Sequence, residues 1–289
     1  MEPVQPVWMN PEAPSIQEPV YYQPRALPKQ RVWLHVLLYI ATIITTTWAA
    51  GPVFSAGLLS ILTAHEFGHY FTARYYGVPV SLPYFIPFPL SLFGTLGAVI
   101  RMSPRIPNRR ALFDIAAAGP LAGLVLALPV TFVGIAHLEI ASREAVFYHD
   151  ISLVPPLLFQ WLGWLAHRSV GSGFEITRYP LAFAGWAGMF VTALNLLPIG
   201  QLDGGHITHA LFGSRSRLVA GAMFTGLGLY CIVTRNFTWV PLLLLLLFFG
   251  IQHPPNTDDG RPLGSSRLAL GALLGIVFLT CFSLVPIKL

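Results

Sequence analysis

An HExxH motif, His65 to His69, lies in the middle of an apolar run that is long enough to cross a membrane. Histidines spaced four apart fall on one face of a helix, so both imidazoles can reach a single metal ion. Glu66, between them, has the position of a general base for a metal-activated water. The run from Phe54 to Phe71 holds no other charged residue. Because ionisable groups are costly at membrane depth and mark function there, this run predicts a zinc site inside a hydrophobic layer.

The composition is typical of an integral membrane protein. Hydrophobic residues make up 54% of the 289 residues and charged residues 10%, and the mean hydropathy is +0.64. Soluble domains carry nearer a quarter charged residues. The net charge of +5 is small and fits loop charges that set membrane orientation, so we expect no nucleic-acid partner. Cys231 and Cys281 lie in separate apolar segments, so we expect neither a disulfide nor a cysteine metal site.

Apolar runs of spanning length predict an all-α polytopic membrane protein with six to seven transmembrane helices. Six runs cover residues 33–50, 54–76, 110–138, 180–200, 215–234 and 267–286. A shorter leucine-rich run, 238–252, is expected to add the seventh. Residues 1–30 are rich in Pro, Gln and Glu without an apolar signal region, which predicts a disordered cytoplasmic tail. Residues 31–289 then form a single transmembrane domain.

The basic residues predict the orientation of these helices. With the N-terminus in the cytoplasm, 12 of the 17 Lys and Arg residues fall on the cytoplasmic side, as the positive-inside rule requires. We therefore expect a multi-pass protein of a bacterial inner or plasma membrane. Residues 151–168 are too short and too aromatic for a span, and we expect them to form an interfacial helix on the opposite face.

Residues 78–104 are apolar but do not have the pattern of a simple span. Four prolines interrupt the segment and two glycines follow them: Pro79, Pro83, Pro87, Pro89, Gly94 and Gly97. Prolines at that density prevent a helix. Since Arg74 and Arg101 place both ends on the same side, we expect a re-entrant, extended segment resembling a β-hairpin. Non-helical backbone at that depth needs protein or a water-filled cavity beside it; a loop on the surface is the alternative.

A catalytic zinc site needs three protein ligands and one open position. The acidic residues outside the motif lie in the tail, in loops or near a membrane boundary, with one exception. Asp203 follows an apolar helix that Pro198 and Gly200 interrupt, and a pair of glycines comes directly after it. A broken helix gives this carboxylate room to turn toward a metal, so Asp203 is the predicted third ligand. The alternative is that Asp203 caps a helix beginning near His206.

Two motifs taken together resemble the paired signature of the site-2 protease family of intramembrane zinc metalloproteases. They are His65-Glu66-x-x-His69 and Asn195-x-x-Pro198-x-x-x-x-Asp203-Gly204. Further similar stretches are Ala118-Gly-Pro-Leu-Ala-Gly123, Gly94-Thr-Leu-Gly-Ala98 and His253-Pro-Pro255, the last being similar to the prokaryotic and plastid branches. The resemblance runs from about residue 35 to the end of the chain, without the PDZ insertion or CBS pair of other branches.

The resemblance implies regulated hydrolysis of a peptide bond within or near a transmembrane segment of a membrane-protein substrate. One Zn²⁺ per chain would be held by His65, His69 and Asp203, with Glu66 as the base. Asn195 would orient the substrate or stabilise the oxyanion, although a structural amide joining two helices fits equally well. His206 follows the Asp-Gly-Gly turn and could lie beside the metal ligands, but we expect it to be structural. The expected partners are the substrate and the lipid bilayer, and the oligomeric state stays open.

Two other functions use similar residues. Membrane proteases of the prenyl-protein-processing type also carry HExxH, but they are expected to take a glutamate from a later helix as third ligand. No later span here contains a suitable glutamate. A zinc transporter or a non-catalytic metal-binding membrane protein would need the ligands, but not the base that Glu66 provides.

Overall fold

Helices form most of the described chain. The computed structural model describes residues 30–104, 106–138, 152–170, 174–249 and 262–288. The predicted disordered tail, except Gln30, and the end of the run 238–252 lie outside these residues. The helices are α1 (Val32–Tyr75), α2 (Arg109–Ala136), α3 (Leu157–Leu165), α4 (Pro180–Asn195), α5 (Asp203–Phe212), α6 (Ser216–Thr234), α7 (Val240–Phe249) and α8 (Ser265–Cys281). The strands are β1 (Tyr84–Pro87), β2 (Thr95–Val99), β3 (Ser152–Leu153) and β4 (Ile287–Lys288).

Helix α1 is two antiparallel limbs joined at a sharp turn. Gly51 has φ 84° and ψ 168°, outside the helical region. The Tyr39 hydroxyl lies 3.4 Å from the Thr63 hydroxyl, whereas 24 residues of straight helix would separate them by about 36 Å. We call residues 32–49 the first limb and residues 52–75, which carry HExxH, the second limb. The two limbs coincide with the first two apolar runs of the sequence.

Several described segments have the length and apolar character of membrane spans. Three are long and apolar enough to cross a membrane: Val32–Tyr75, Arg109–Ala136 and Asp203–Thr234, the last comprising α5, a 3₁₀ turn and α6. Ser265–Cys281 is apolar and shorter. The apolar run predicted at 180–200 is helical only as far as Asn195. The architecture is thus mostly helical with small antiparallel strand pairs, in agreement with the coarse fold prediction.

The proline-interrupted segment forms an antiparallel hairpin. Strands β1 and β2 pair Tyr84 with Val99 and Phe85 with Ala98, and a bulge follows before Pro87. A further bridge, Val80 to Met102, extends the pairing toward the base of the hairpin. The predicted β-hairpin-like character of residues 78–104 is confirmed.

The hairpin lies along the first limb of α1. The His35 ring nitrogen Nδ1 is 3.0 Å from the Pro83 carbonyl oxygen near the hairpin base. At the tip, Gly94 has φ +74°, and a Cβ there would lie 2.3 Å from the Thr45 carbonyl oxygen. Since only glycine tolerates both that φ and that distance, Gly94 permits the tip to rest on the limb.

The strand pair β3–β4 and helix α3 lie beside α4 and the end of α2. Strands β3 and β4 pair Ser152 with Lys288, and the Trp186 indole donates to the Val154 carbonyl at 2.9 Å. Helix α3 exposes Trp161 and Trp164 to 55% and 79%. These exposed aromatic rings fit the interfacial helix predicted for residues 151–168.

Candidate metal centre

Three side chains from two distant parts of the chain converge at one point. The Nε2 atoms of His65 and His69 lie 3.1 Å apart. Each of them lies 3.2 Å from Oδ2 of Asp203. The histidines are 4% and 7% exposed, so the three ligand atoms form a nearly equilateral triangle that is largely withdrawn from solvent. These are the three residues predicted as metal ligands, and the tertiary structure brings all of them together.

The chemistry of the triangle fits a bound cation. Nδ1 of His69 lies 2.8 Å from the Ile115 carbonyl oxygen, so Nδ1 carries a proton, and in the neutral ring the Nε2 lone pair points toward Asp203. A lone pair facing a carboxylate oxygen is unfavourable unless a positive charge lies between them. Tetrahedral coordination at 2.0–2.1 Å would separate the ligand atoms by about 3.3 Å, close to the observed spacing. Two imidazoles and one carboxylate make a donor set typical of catalytic zinc.

Helix α2 packs directly on the histidine face of the second limb. A Cβ at Gly119 would lie 2.0 Å from Nε2 of His69, and one at Gly123 would lie 3.2 Å from the His65 Cβ. Glycines spaced four apart are by themselves typical of helix packing. In the structure the two glycines leave the space that the ligand rings occupy.

Asp203 reaches the centre because the chain breaks between α4 and α5. Helix α4 ends at Asn195 and α5 begins at Asp203 itself, with Gly200 at φ 58° in the turn between them. A Cβ at Gly204 would lie 2.0 Å from the Leu196 carbonyl oxygen, so the start of α5 can press against this turn. The alternative of a cap for a helix starting near His206 does not match this arrangement, since the carboxylate contacts the two histidines.

Asn195 and Glu66 lie beside the three ligands. Nδ2 of Asn195 is 3.2 Å from Nε2 of His65, and Glu66 is 6% exposed. Both side chains line a cavity of about 250 Å³ that also contains the ligands. A buried carboxylate, a half-buried amide and three metal-ligand groups around one small cavity are the components of a hydrolytic site.

Part of the cavity wall comes from the hairpin. Ala98 and Val99 of β2, and Ile100 directly after it, line the cavity together with Met102. The 78–104 segment is separated from HExxH by few residues, yet nothing in its sequence indicates which strand faces the site. Which strand lines the cavity depends on how the hairpin packs against the first limb of α1.

Sequence reasoning missed two polar residues at the site. His206, expected to be structural, lines the cavity, as does Gln201. His206 follows Asp203 by three residues on α5, which places both on the same helix face. That spacing is the signal that would have identified His206 as part of the cavity wall.

The chain is similar to plant proteins that are named as probable zinc metalloproteases. It is 34% identical to "Probable zinc metalloprotease EGY1, chloroplastic" of Oryza sativa subsp. japonica, over 80% of this chain and 40% of the relative. The Arabidopsis thaliana protein of that name is 33% identical, over 78% of this chain and 41% of the relative. A "Probable zinc metalloprotease EGY3, chloroplastic" of Oryza sativa subsp. indica is 35% identical, over 79% and 41%. No solved structure gives a significant match.

These comparisons correct one expectation and identify the family. The chain spans about two fifths of the length of these curated relatives, 40% to 41%. Their names place the relatives in chloroplasts, which conflicts with the expected bacterial membrane and the cytoplasmic N-terminus. The profile of Peptidase family M50 matches residues 53–233, more than half of the chain and the whole of both motifs. The chain therefore belongs to Peptidase family M50, the site-2 protease family that its two motifs resemble.

Proposed function

We propose that this protein is an intramembrane zinc metalloprotease that hydrolyses a peptide bond within or near a transmembrane segment of a membrane-protein substrate. The observation that carries the proposal is the shared cavity. The three ligand atoms, the Glu66 carboxylate and a backbone strand that can receive a peptide all border the same space. Membership of Peptidase family M50 and the names of the relatives support the same conclusion.

We assign each part of the proposed reaction to a residue that lines the cavity. His65, His69 and Asp203 would hold one zinc ion, which supplies Lewis-acid chemistry and acidifies water when bound. Glu66 borders the cavity beside these ligands. Its carboxylate can take the proton of the attacking water and later pass it to the leaving nitrogen. The buried surroundings of Glu66 exclude bulk water, which strengthens its interactions with charged groups in the site.

Asn195 is proposed to bind the substrate carbonyl. Its amide nitrogen already lies within 3.2 Å of His65 Nε2, so the side chain extends into the site. An N–H donor beside a scissile carbonyl stabilises the negative charge that develops on the oxygen. The alternative role, a structural amide between two helices, would not require the side chain to border the cavity.

Strand β2 is proposed to hold the substrate in an extended form. A helical peptide bond is shielded by its own hydrogen bond, so the substrate must unwind before attack. Strand β2 pairs with β1 on one edge, while Ala98 and Val99 border the cavity. An unwound segment can add to such an edge through main-chain hydrogen bonds, next to the catalytic groups.

We propose six to seven membrane crossings within a single domain, 31–289, with residues 1–30 as an extension. The two limbs of α1, followed by α2, α4, α6, α7 and α8, would supply them. The starts of α2 and α8 and the end of α1 meet through the Asp114–Arg267 ion pair at 2.7 Å and the hydrogen bond from Tyr76 to Asp114. This clustering, with the antiparallel limbs of α1, favours one arginine-rich side that includes the start and the end of α1.

The transporter alternative is less favoured. A transporter would need a path for the metal across the bilayer, commonly built from paired broken helices in matching halves. Among the described residues, one group of three His, Cys, Asp or Glu side chains is arranged to hold a metal. Family membership also favours the protease.

The test is cleavage in reconstituted vesicles. The full chain would be loaded with zinc and mixed with a tagged single-span substrate, and wild type would be compared with Glu66→Gln and Asp203→Ala. Glu66→Gln removes the proton acceptor, so cleavage should fall about a thousandfold while bound zinc stays at the wild-type level. Asp203→Ala should weaken zinc retention and cleavage together.

Undiminished cleavage by Glu66→Gln would end the assignment of this residue as the base. Zinc flux across the vesicle membrane without proteolysis would favour the transporter. Zinc retention by Asp203→Ala equal to wild type would remove Asp203 from the ligand set.

A further inference from the structure

The first turn of α2 carries two arginines at a position that does not favour them. Helix α2 begins at Arg109, followed by Arg110, with the Asn108 side chain accepting a hydrogen bond from the Ala111 amide at 2.9 Å. The positive end of the helix dipole lies at this terminus, so cations there destabilise the helix that carries them. The reason for the two arginines must be sought in what their side chains contact.

Arg109 binds the far end of the helix that carries Asp203. Its guanidinium donates from Nε to the Ala210 carbonyl and from Nη2 to the Leu211 carbonyl at 2.8 Å. The last four carbonyls of a helix have no partner within it, and the negative end of its dipole attracts a cation. Arg109 is therefore a charged C-terminal clamp on α5, supplied by α2 from 101 residues away.

The clamp acts on a short rigid element. Helix α5 has ten residues, a rod of about 15 Å, with Asp203 at one end and the clamped carbonyls at the other. Fixing one end of such a rod in two directions restricts sliding and rotation of the other end. Asp203 contacts its partners through a single oxygen, Oδ2, at 3.2 Å, so a small shift of the rod changes both contacts.

Helix α2 also contacts the helix that carries the other two ligands. The Ile115 carbonyl receives the His69 Nδ1 proton at 2.8 Å, less than two turns from Arg109. Asp114 accepts a hydrogen bond from Tyr76, which directly follows the HExxH helix. The start of α2 therefore contacts both ligand-bearing helices. Through these contacts it sets the distance between them at the site.

We propose that Arg109 is a positioning residue for the metal centre: by clamping the α5 carbonyls to α2, it fixes where the Asp203 carboxylate stands relative to His65 and His69. The proposal rests on the proposed function, since it takes Asp203 as a zinc ligand. It assigns Arg109 no contact with substrate or metal. Residues that orient metal ligands typically change metal affinity or activity 10- to 100-fold when removed, which sets the scale of the expected effect.

The experiment measures metal binding by the full chain in detergent. Zinc affinity is determined by competition with a chelator, and the visible spectrum of the Co²⁺-substituted protein reports the ligand geometry. The variants are Arg109→Gln and Arg109→Lys. The matched control is Arg110→Gln, because Arg110 is the next residue and its Nε donates to the Pro262 carbonyl at 2.8 Å, away from α5. Melting temperatures of the metal-free proteins separate a loss of folding from a loss of positioning.

We expect Arg109→Gln to weaken zinc about tenfold and to shift the Co²⁺ spectrum. Arg109→Lys should be intermediate, since an ammonium keeps the charge but cannot span two carbonyls. Arg110→Gln should match wild type in both measurements.

Asp203→Ala in the same assay distinguishes the two proposals. If it leaves zinc affinity unchanged, the ligand assignment fails and the positioning role fails with it. If Asp203→Ala weakens zinc while both Arg109 variants retain wild-type affinity and spectrum, only the positioning role is overturned. A lower metal-free melting temperature with an unaltered Co²⁺ spectrum would likewise make Arg109 a purely structural residue.

Discussion

The two limbs of α1 are both apolar, but the first buries polar side chains and the second buries mostly apolar ones. In the first limb, the buried residues are polar: His35, Thr42 and Thr46. Large apolar side chains of that limb face outward, with Trp33 61% and Ile44 63% exposed. In the second limb, most buried residues are apolar, and the buried polar ones include the HExxH side chains.

The difference shows that the hydropathy of a segment predicts its location in the membrane but not which of its side chains are buried or what they do. The first limb presents apolar side chains to the surroundings and uses its polar residues to hold its neighbours, as in the His35 contact with Pro83. The second limb packs against α2 and α4, and its buried polar residues at this contact include the two histidines of the metal centre. We therefore expect substitutions in contact with the second limb to affect the metal, and those in contact with the first limb to affect the hairpin.

The largest effect is expected for Gly119→Ala, at the contact of α2 with the second limb. A methyl group at this position would lie 2.0 Å from Nε2 of His69, so the ring must leave its position. Zinc affinity should fall about a hundredfold, the upper end for disturbed ligand orientation, and cleavage should fall with it. Chelator competition and the substrate assay measure both. Gly221→Ala, where no atom lies within 4 Å of the added Cβ, is the control; equal zinc affinities in the two variants would contradict the prediction.

A smaller effect of a different kind is expected for Gly94→Ala, at the contact of the hairpin with the first limb. The added Cβ would lie 2.3 Å from the Thr45 carbonyl oxygen, at a φ of +74°. The hairpin tip must lift away, so cleavage should fall about tenfold, the cost of one to two kcal/mol of strain, while zinc affinity stays unchanged. Gly77→Ala is the matched control, since Gly77 has φ +67° and open space around it. Zinc loss in Gly94→Ala would break the distinction between the limbs.

The smallest effect is expected for Thr46→Val, inside the pair of limbs. The Thr46 hydroxyl lies 2.7 Å from the Ser55 hydroxyl across the turn. Removing one hydrogen bond between membrane helices should lower the free energy of unfolding by about 0.6 kcal/mol. Thr45→Val is the control, because Thr45 bonds only to carbonyls of its own limb among the contacts observed. A double-mutant cycle with Ser55→Ala isolates the pair; a coupling energy of zero would show that this bond does not hold the limbs together.

Local patterns predicted much of the site. The spacing of His65 and His69 brings both rings to one face as long as the segment is helical. Pro198 and Gly200 interrupt the helix before Asp203. The prolines of 78–104 exclude a helix, and the hairpin follows. Each of these features depends on backbone preferences within a few residues, so it can be predicted from the local sequence.

Other parts of the site depend on contacts between elements far apart in the chain. In the sequence Gly119 indicates only helix packing, but in the structure it leaves room for the His69 ring. Arg109 has the position of a loop charge in the sequence, but in the structure it binds carbonyls of α5. His206 borders the cavity only because α5 is turned with Asp203 inward.

The sequence by itself determined that this chain lies in a membrane, carries two motifs of one zinc protease family and interrupts its helices at 78–104 and near Pro198. Only the tertiary structure decided that the two motifs meet, that β2 lines the same cavity, and that α2 contacts both ligand-bearing helices. Spacing and composition act over one or two turns, whereas the distance between His65 and Asp203 is set by how three helices pack. An apolar run can therefore become the first limb, which buries only polar side chains, or the second limb, which packs its histidines against α2.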